Sequence, residues 1–131
     1  QHKHLKEIVK LCGISSTPVF CPIVADFYSG MEVTVPLFAD TINGSTDQIR
    51  QLYRDYYAQG LVRYCDDADG DGMLSAAAYS GRDDMQVSVH GNEERILLTA
   101  RFDNLGKGAS GAAIQNMNIL LGIDETTGLN V

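Results

Sequence analysis

The sequence is poor in positive charge and in cysteine, and it has no long hydrophobic run. None of its 131 residues form a stretch long enough to cross a membrane, and no signal-peptide pattern appears. Ten Lys and Arg face seventeen Asp and Glu, for a net charge of −7. This balance argues against nucleic acid or an anionic membrane surface as the main partner. A few local cations can still dominate one pocket, so an anionic substrate is compatible with it.

The cysteines argue against a disulfide framework and against a metal site. Cys12, Cys21 and Cys65 are odd in number and lack metal-type spacing. We therefore expect reduced thiols in a cytoplasmic protein. Their positions favour small apolar fillers or half-exposed thiols.

The spacing of apolar residues predicts one domain over residues 1–131, because no repeat and no long linker divides the chain. Helices are expected over residues 2–11, ending at Gly13, and over residues 110–121. A further helix is opened by the capping box of Ser45 and Gln48 and ended by Gly60, with an apolar stripe. The stripe consists of Ile49, Leu52, Tyr53 and Tyr56. Strands are expected over residues 18–24, 30–38, 61–64, 85–90 and 94–102.

The second predicted strand alternates between apolar and polar residues. Met31, Val33, Val35 and Leu37 should form its buried face, and Pro36 places the strand at a sheet edge or a bulge. Gly91 and Asn92 predict a hairpin between the last two strands. Together the elements predict an α+β fold, in which a mixed, largely antiparallel sheet carries helices on one face.

The segment from Asp103 to Asn118 is the most informative part of the chain. Gly106, Gly108 and Gly111 allow either positive φ or close packing against another surface. Ser110 can cap the following helix, whose first amides would then attract an anion. The helix carries three carboxamides, those of Gln115, Asn116 and Asn118. The pattern indicates a helix that packs tightly and hydrogen-bonds to a neighbour, although a simple core helix also fits it.

Three polar residues near the start of the chain form a second candidate site. His4 and Glu7 share one helix face, whereas His2 should point elsewhere. A carboxylate beside an imidazole suits general acid–base chemistry. Alternatively, these residues are ordinary polar side chains on the protein surface, without a catalytic role.

An acidic stretch, Asp67, Asp69 and Asp71 before Gly72, matches the start of a calcium loop. Ala78 stands where such a loop needs a bidentate glutamate, and the preceding segment is a predicted strand. We therefore expect a solvated acidic turn and no metal site. A non-catalytic calcium-binding or assembly module remains the alternative.

Four segments, in order, resemble the N-acetyl-γ-glutamyl-phosphate reductases, relatives of the aspartate-semialdehyde and glyceraldehyde-phosphate dehydrogenases. Residues 103–118 are similar to their DNLxKGASGQAxQNMN segment, and residues 2–8 to HRHxxEI. Residues 26–31 with 33–36 resemble the start of the central sheet, and residues 91–93 resemble GN(D/E). These matches cover the chain nearly end to end.

The resemblance implies a fold like the C-terminal domain of glyceraldehyde-phosphate dehydrogenase. It also implies an NADPH-dependent reductase of arginine biosynthesis, a homo-oligomer (dimer or tetramer). This enzyme converts N-acetyl-γ-glutamyl phosphate to N-acetylglutamate semialdehyde and phosphate through a cysteine thioester. His4 would be the proton donor, Glu7 its orienter or a substrate contact, and His2 a third catalytic candidate. Lys107, Gly108, Gln115 and Asn116 would contact NADP, and Asn118 is a further candidate for a carboxamide contact. Lys107 also fits a solvated loop.

In the resembled family, the nucleophilic cysteine and a Rossmann domain precede the histidine segment. Because this chain starts at Gln1, we expect it to be a piece of a longer protein, inactive without its own N-terminal Rossmann domain. Val19 and Ser29 stand where many members carry histidine and arginine. Another cation would then bind the substrate carboxylate, with Arg82, Arg95 and Arg101 as candidates. An aspartate-semialdehyde type of dehydrogenase is the alternative enzyme.

Overall fold

The computed structural model describes residues 2–131 and has three α-helices and one four-stranded sheet within that range. The helices are α1 (His4–Cys12), α2 (Thr46–Tyr56) and α3 (Gly111–Leu121). The strands are β1 (Met31–Phe38), β2 (Val62–Tyr64), β3 (Met85–Gly91) and β4 (Arg95–Phe102), in the spatial order β1-β4-β3-β2. Only β2 and β3 run parallel. The predicted mixed, largely antiparallel α+β fold is confirmed.

Local sequence signals set the ends of the helices. Gly13 ends α1 in the left-handed region, with φ 63°. The Gln48 amide donates to Ser45 Oγ at 3.2 Å, and the Ser45 amide donates to Gln48 Oε1 at 2.9 Å, so the capping box is confirmed. α2 ends at Tyr56, before the predicted Gly60. Gly60 instead forms the turn into β2, with φ 87°.

The hairpin between β3 and β4 is confirmed. Gly91 has φ 111°, and a Cβ there would overlap the Arg95 carbonyl, so the turn requires glycine. The Asn92 amide donates to the Arg95 carbonyl at 2.8 Å, and Asn92 Oδ1 accepts from the amides of Glu94 and Arg95.

The two sheet faces differ in chemistry. Val87, Val89 and Ile96 are buried on the apolar face, where α2 packs along β3. The opposite face carries buried Ser88, Thr99 and Arg101. Arg101 donates to the carbonyl of Ala68 at 2.8 Å and to Ser75 at 3.4 Å, so the segment between β2 and β3 covers this face. One face therefore carries helix and the other a long loop.

One strand prediction was wrong, and a second was wrong in part. Residues 18–24 form no strand; Val19 and Val24 are 94% and 96% exposed, and no described strand pairs with them. β1 exists and is an edge strand, as Pro36 predicted. Its expected buried face is open, however: Met31, Val33 and Val35 are 43, 42 and 46% exposed. The reason is that α2 covers the sheet over β3 and does not extend to β1.

The predicted stripe of α2 was also partly wrong. Leu52 and Tyr56 are 61% and 76% exposed, whereas Thr46 is buried and Ile49 and Tyr53 are half-buried. The covered side of the helix is narrower than predicted and partly polar: the Thr46 hydroxyl donates to the Asn92 carbonyl, in the hairpin turn, at 3.0 Å. No described helix has the length and apolarity of a membrane span.

Candidate active site

A π-helical turn, Gly106–Ser110, leads from β4 into α3 and lies against two other segments. None of its glycines, nor Gly111, has positive φ. A Cβ at Gly106 or Gly111 would instead collide with Arg82 or Asp83, and one at Gly108 would lie 3.1 Å from the Phe102 ring. Close packing is therefore what these glycines permit.

The expected anion site at the start of α3 is absent from the described structure. Ser110 Oγ donates backwards to the Leu105 carbonyl at 2.8 Å and caps nothing. The Gly111 amide, which would have been free at a simple helix start, donates to the Gly106 carbonyl. The π-helical turn consumes these donors because it continues directly into α3.

The buried side chain of Asp103 holds this turn in place through hydrogen bonds. Its carboxylate, 2% exposed, accepts from the Leu105 amide at 2.7 Å, the Gly106 amide at 3.2 Å and Ser29 Oγ at 2.9 Å. The Gly81 amide donates to it as well. Burial alone would raise the pKa of Asp103, but these donors outweigh burial and hold its pKa below the ordinary value. Asp103 therefore joins three segments of the chain as a carboxylate.

Ser29, the residue at the family's arginine position, belongs to this buried cluster. Its hydroxyl contacts Ser80 Oγ at 2.5 Å in addition to Asp103. The neighbouring Gly30 amide donates to Asn104 Oδ1 at 2.9 Å. The start of β1 is thus tied to the residues that open the glycine-rich turn.

Lys107, Gln115 and Glu125 form a polar chain beside α3. Lys107 Nζ donates to Gln115 Oε1, and Gln115 Nε2 donates to Glu125 Oε2 at 2.7 Å. All three side chains are half-buried. The carboxamide of Gln115 is therefore held at both ends, in one orientation.

The three carboxamides of α3 have different environments. Asn118 is 2% exposed and donates to the carbonyls of Glu125 and Thr127 at 3.1 and 2.9 Å, so it holds the C-terminal segment. It is not available to a cofactor, contrary to the expectation for this residue. Asn116 is exposed, and its carboxamide makes no hydrogen bond within residues 2–131. Gly108, the remaining cofactor candidate, is exposed too.

The histidine site lies on α1. His2, His4 and Glu7 are all exposed. The His2 and His4 rings are 4.7 Å apart, so the expectation that His2 points elsewhere is wrong. Lys3 has helical backbone angles, and the His4 amide donates to His2 Nδ1 at 3.4 Å, which holds His2 beside the first turn. The His2 ring also lies 4.8 Å from Phe20. No hydrogen bond links His4 to Glu7, or α1 to the 103–125 region, within the described residues.

The remaining candidates divide clearly by environment. Arg101 is buried and bound to Gln86 and backbone carbonyls, and Arg82 donates to both oxygens of Asp84 at 2.7 Å. Their guanidinium groups serve the fold, which leaves Arg95 as the most exposed of the three arginines. Cys12 and Cys21 are exposed and Cys65 is half-buried.

The carboxylates of the acidic stretch, residues 67–71, do not converge on one point. Asp69 Oδ2 lies 3.4 Å from His90 Nδ1, whereas Asp71 Oδ1 accepts from the Met73 amide at 3.1 Å. Within residues 2–131, no three His, Cys, Asp or Glu side chains are grouped closely enough to hold a metal ion. The segment before the loop is strand β2, as predicted.

Comparison with known proteins decides the family. Residues 1–104 match the family model described as semialdehyde dehydrogenase, dimerisation domain. The chain belongs to this family.

Similar proteins of the semialdehyde dehydrogenase family extend the match over α3. N-acetyl-gamma-glutamyl-phosphate reductase 2 of Nostoc sp. (strain PCC 7120) is 44% identical over 98% of this chain, and the corresponding reductase of Trichormus variabilis is equally similar. The Brucella ovis reductase is 37% identical over 93% of the chain. These alignments cover 42–43% of each relative, so the chain spans less than half the length of the relatives that it matches.

Sequence reasoning missed the residues of this semialdehyde dehydrogenase domain that organise the glycine-rich turn. Asp103 stood within the resembled segment, but its contacts with Ser29 and Gly81 cross 74 and 22 positions of sequence. Glu125 follows α3, and no sequence pattern marked it as a functional residue. The carboxamides of α3 indicated that the helix hydrogen-bonds to a neighbour, but the sequence did not specify which residue is the partner of Gln115.

Proposed function

We propose that this chain is the C-terminal domain of an NADPH-dependent reductase that converts N-acetyl-γ-glutamyl phosphate to N-acetylglutamate semialdehyde and phosphate. The observation that carries the proposal is the identity of 37–44% with reductases of that name over 93–98% of the chain. The matched region includes both candidate sites, the histidine helix α1 and the glycine-rich turn before α3. The place of the reaction is arginine biosynthesis in the cytoplasm.

The reaction needs a thiolate that none of the cysteines in this chain is placed to supply. Cys12 lies eight residues after His4 on the same helix, about 12 Å along its axis. Cys21 and Cys65 make no side-chain hydrogen bond with a histidine in the described structure. We therefore assign the nucleophile to the N-terminal part of a longer protein, together with the Rossmann domain.

In the proposed reaction, the cysteine sulfur attacks the acyl carbon, and the bond between this carbon and the phosphate oxygen breaks. Phosphate leaves, and a thioester between the cysteine and the acyl group remains. NADPH, when bound, supplies the hydride that reduces this thioester carbon. His4 donates a proton to the oxygen on which negative charge develops, which gives a hemithioacetal. The same imidazole takes this proton back as the carbon–sulfur bond breaks, and the thiolate and the aldehyde are released. The exposed imidazole of His4 suits this role because its ring nitrogens make no hydrogen bond to another described side chain. Glu7 orients His4 or contacts substrate, and His2 borders the same ring.

The donor set of the glycine-rich turn fits a phosphate-bearing dinucleotide. Lys107 uses one N–H on Gln115, so two of its three donors are free for an anion. The free carboxamide of Asn116 can pair with the carboxamide of nicotinamide, donor to acceptor. Gln115 supports this surface mainly through Lys107. Gly108 is exposed beside them, although the side on which a Cβ would stand faces the Phe102 ring.

We also propose that the protein is a homo-oligomer, a dimer or tetramer, held together by the open apolar face of β1. Met31, Val33 and Val35 point to the same side, as their alternation in the strand requires. They lie within residues 1–104, the range matched by the dimerisation-domain family. A second copy of the chain is therefore the partner assigned to this face.

The test of the function uses the full-length protein that contains this chain. NADPH-linked assays in the reverse direction, with N-acetylglutamate semialdehyde and phosphate, are run beside aspartate semialdehyde and phosphate. Reduction of NADP with the acetylated substrate alone is expected. Turnover of aspartate semialdehyde only would move the protein to the aspartate-semialdehyde type, and turnover of neither would remove the proposal.

A further inference from the structure

Glu125 lies at the end of a polar chain that starts at Lys107. Its Oε2 accepts from Gln115 Nε2 at 2.7 Å, and its Oε1 lies close to Gly60. Gln115 in turn accepts from the Lys107 ammonium. Glu125 and Lys107 have no direct ion pair in the described structure, so the carboxylate acts on the ammonium only through one carboxamide.

A carboxamide between a carboxylate and an ammonium has one satisfactory orientation. Its NH₂ group must face the carboxylate and its oxygen must face the ammonium. Without Glu125, the carboxamide of Gln115 could turn over, and its NH₂ group would then face the cation. Glu125 therefore determines whether Lys107 has an acceptor that holds its long, flexible stem in place.

The attachment of the segment that carries Glu125 does not depend on this carboxylate. Asn118 holds the main-chain carbonyls of Glu125 and Thr127. The carboxylate of Asp124 accepts from the amide and hydroxyl of Thr126 at 2.8 and 2.5 Å and closes the local turn. At the far end, the Asn130 amide donates to Asp83 Oδ2 at 2.9 Å. The contact with Gln115 is thus separable from the role of the segment in the fold.

We propose that Glu125 is a positioning residue that orients Gln115 and thereby fixes Lys107 for a phosphate group of the ligand. The proposal rests on the proposed function only in its choice of ligand, the acyl phosphate or the phosphate-bearing cofactor. Charge alone would act in the opposite direction, since removing a carboxylate near a cation favours an anion. The sign of the effect therefore separates positioning from simple electrostatics.

The test compares Glu125→Ala, Glu125→Gln and Glu93→Ala in the full-length enzyme. Steady-state KM and kcat are measured for each substrate of the reaction, and the Kd of NADPH is measured by fluorescence. Glu125→Ala should weaken binding of the phosphate-bearing ligand by on the order of tenfold, which corresponds to the loss of about one hydrogen bond to a charged group. Glu125→Gln retains an acceptor for Gln115 and should restore most of that loss. Glu93, in the exposed hairpin turn, is the matched control and should have no effect.

A double-mutant cycle with Lys107→Met decides whether the effect passes through the lysine. In the Lys107→Met background, Glu125→Ala should change neither KM nor Kd further. An equal loss in both backgrounds, or tighter binding in Glu125→Ala, would overturn the proposal. A raised KM for the acyl phosphate would show that Lys107 binds the substrate phosphate, and a raised KM for NADPH would show that it binds a phosphate of the cofactor. An active wild-type enzyme with an unaffected Glu125→Ala variant refutes the positioning role alone, whereas an inactive wild-type enzyme refutes the proposed reaction.

Discussion

At the scale of single residues, His4 and Asp103 illustrate two opposite uses of a titratable side chain. His4 is exposed and makes no side-chain hydrogen bond in the described structure. Asp103 is buried and accepts four hydrogen bonds. The first arrangement leaves a group free to react, and the second makes a carboxylate part of the scaffold. Substitutions should therefore affect catalysis at His4 and stability at Asp103.

We expect His4→Gln to lower kcat of the full-length enzyme by about 100-fold or more, because general acid catalysis contributes at least this much. The melting temperature should stay unchanged, since the side chain is exposed. Lys3→Gln, on the neighbouring exposed position, is the control. A His4→Gln enzyme with wild-type kcat would show that another group donates the proton.

We expect Asp103→Asn to destabilise the protein by about 3 kcal/mol, because an NH₂ group would then face backbone N–H donors in a buried site. Asp26→Asn, at an exposed position, is the control, and denaturant unfolding is the measurement. Because the pKa of Asp103 is lowered in the folded state, its stabilisation is complete above the ordinary pKa of about 3.9. It is lost as pH falls through the lower, folded-state pKa. The stabilities of the wild type and the variant should therefore converge in acid, and a constant difference at all pH values would contradict this account.

At the scale of elements, local signals sufficed where an element depends on its own residues. The capping box of α2, Gly13 after α1 and the Gly91–Asn92 turn are short-range patterns, and all three hold in the structure. Strand β1 shows the limit of such reasoning. Its alternation correctly predicted a strand, but whether the apolar side is covered depends on where α2 packs. The strand predicted over residues 18–24 failed for a different long-range reason: β-formers need a neighbouring strand with which to pair, and no described strand pairs with these residues.

At this scale we expect Val33→Glu with Val35→Glu to weaken self-association of the full-length protein by at least about tenfold for each residue, since a buried valine contributes roughly 1.5 kcal/mol or more. Analytical ultracentrifugation across a concentration series measures the dissociation constant. Leu52→Glu places the same charge on an exposed apolar residue of α2 and should leave association unchanged. Equal association of all three proteins would move the interface away from β1.

At the scale of the whole molecule, the two candidate sites lie on separate elements of the described structure. α1 has no buried residue, and no hydrogen bond joins it to the glycine-rich turn within residues 2–131. Its apolar side borders an open groove of about 290 Å³, lined by Leu5, Lys6, Val9, Lys10 and Thr17. α3 likewise exposes Met117, Ile119 and Leu120. Both helices therefore have apolar surface available to the rest of the proposed full-length enzyme.

We expect the 131-residue chain by itself to show no NADPH-linked turnover of N-acetyl-γ-glutamyl phosphate, because the thiolate and the nucleotide-binding half are assigned elsewhere. Circular dichroism establishes that the chain is folded in the same sample. The full-length protein, before and after alkylation of its thiols, is the control and should lose activity on alkylation. Turnover by the isolated chain that survives alkylation would contradict the thioester mechanism.

The amino-acid sequence by itself determined the helices, the hairpin, the fold class and the family, because each depends on neighbouring residues or on an ordered series of motifs. The resemblance also indicated Lys107 and Gln115 before their contact was known. Only the tertiary structure decided which side of β1 is open, that Asp103 joins Ser29 to Gly81, and that Gln115 donates to Glu125. The physical reason is that these outcomes depend on atoms brought together by packing, and spacing along the chain does not specify which distant donor meets which acceptor.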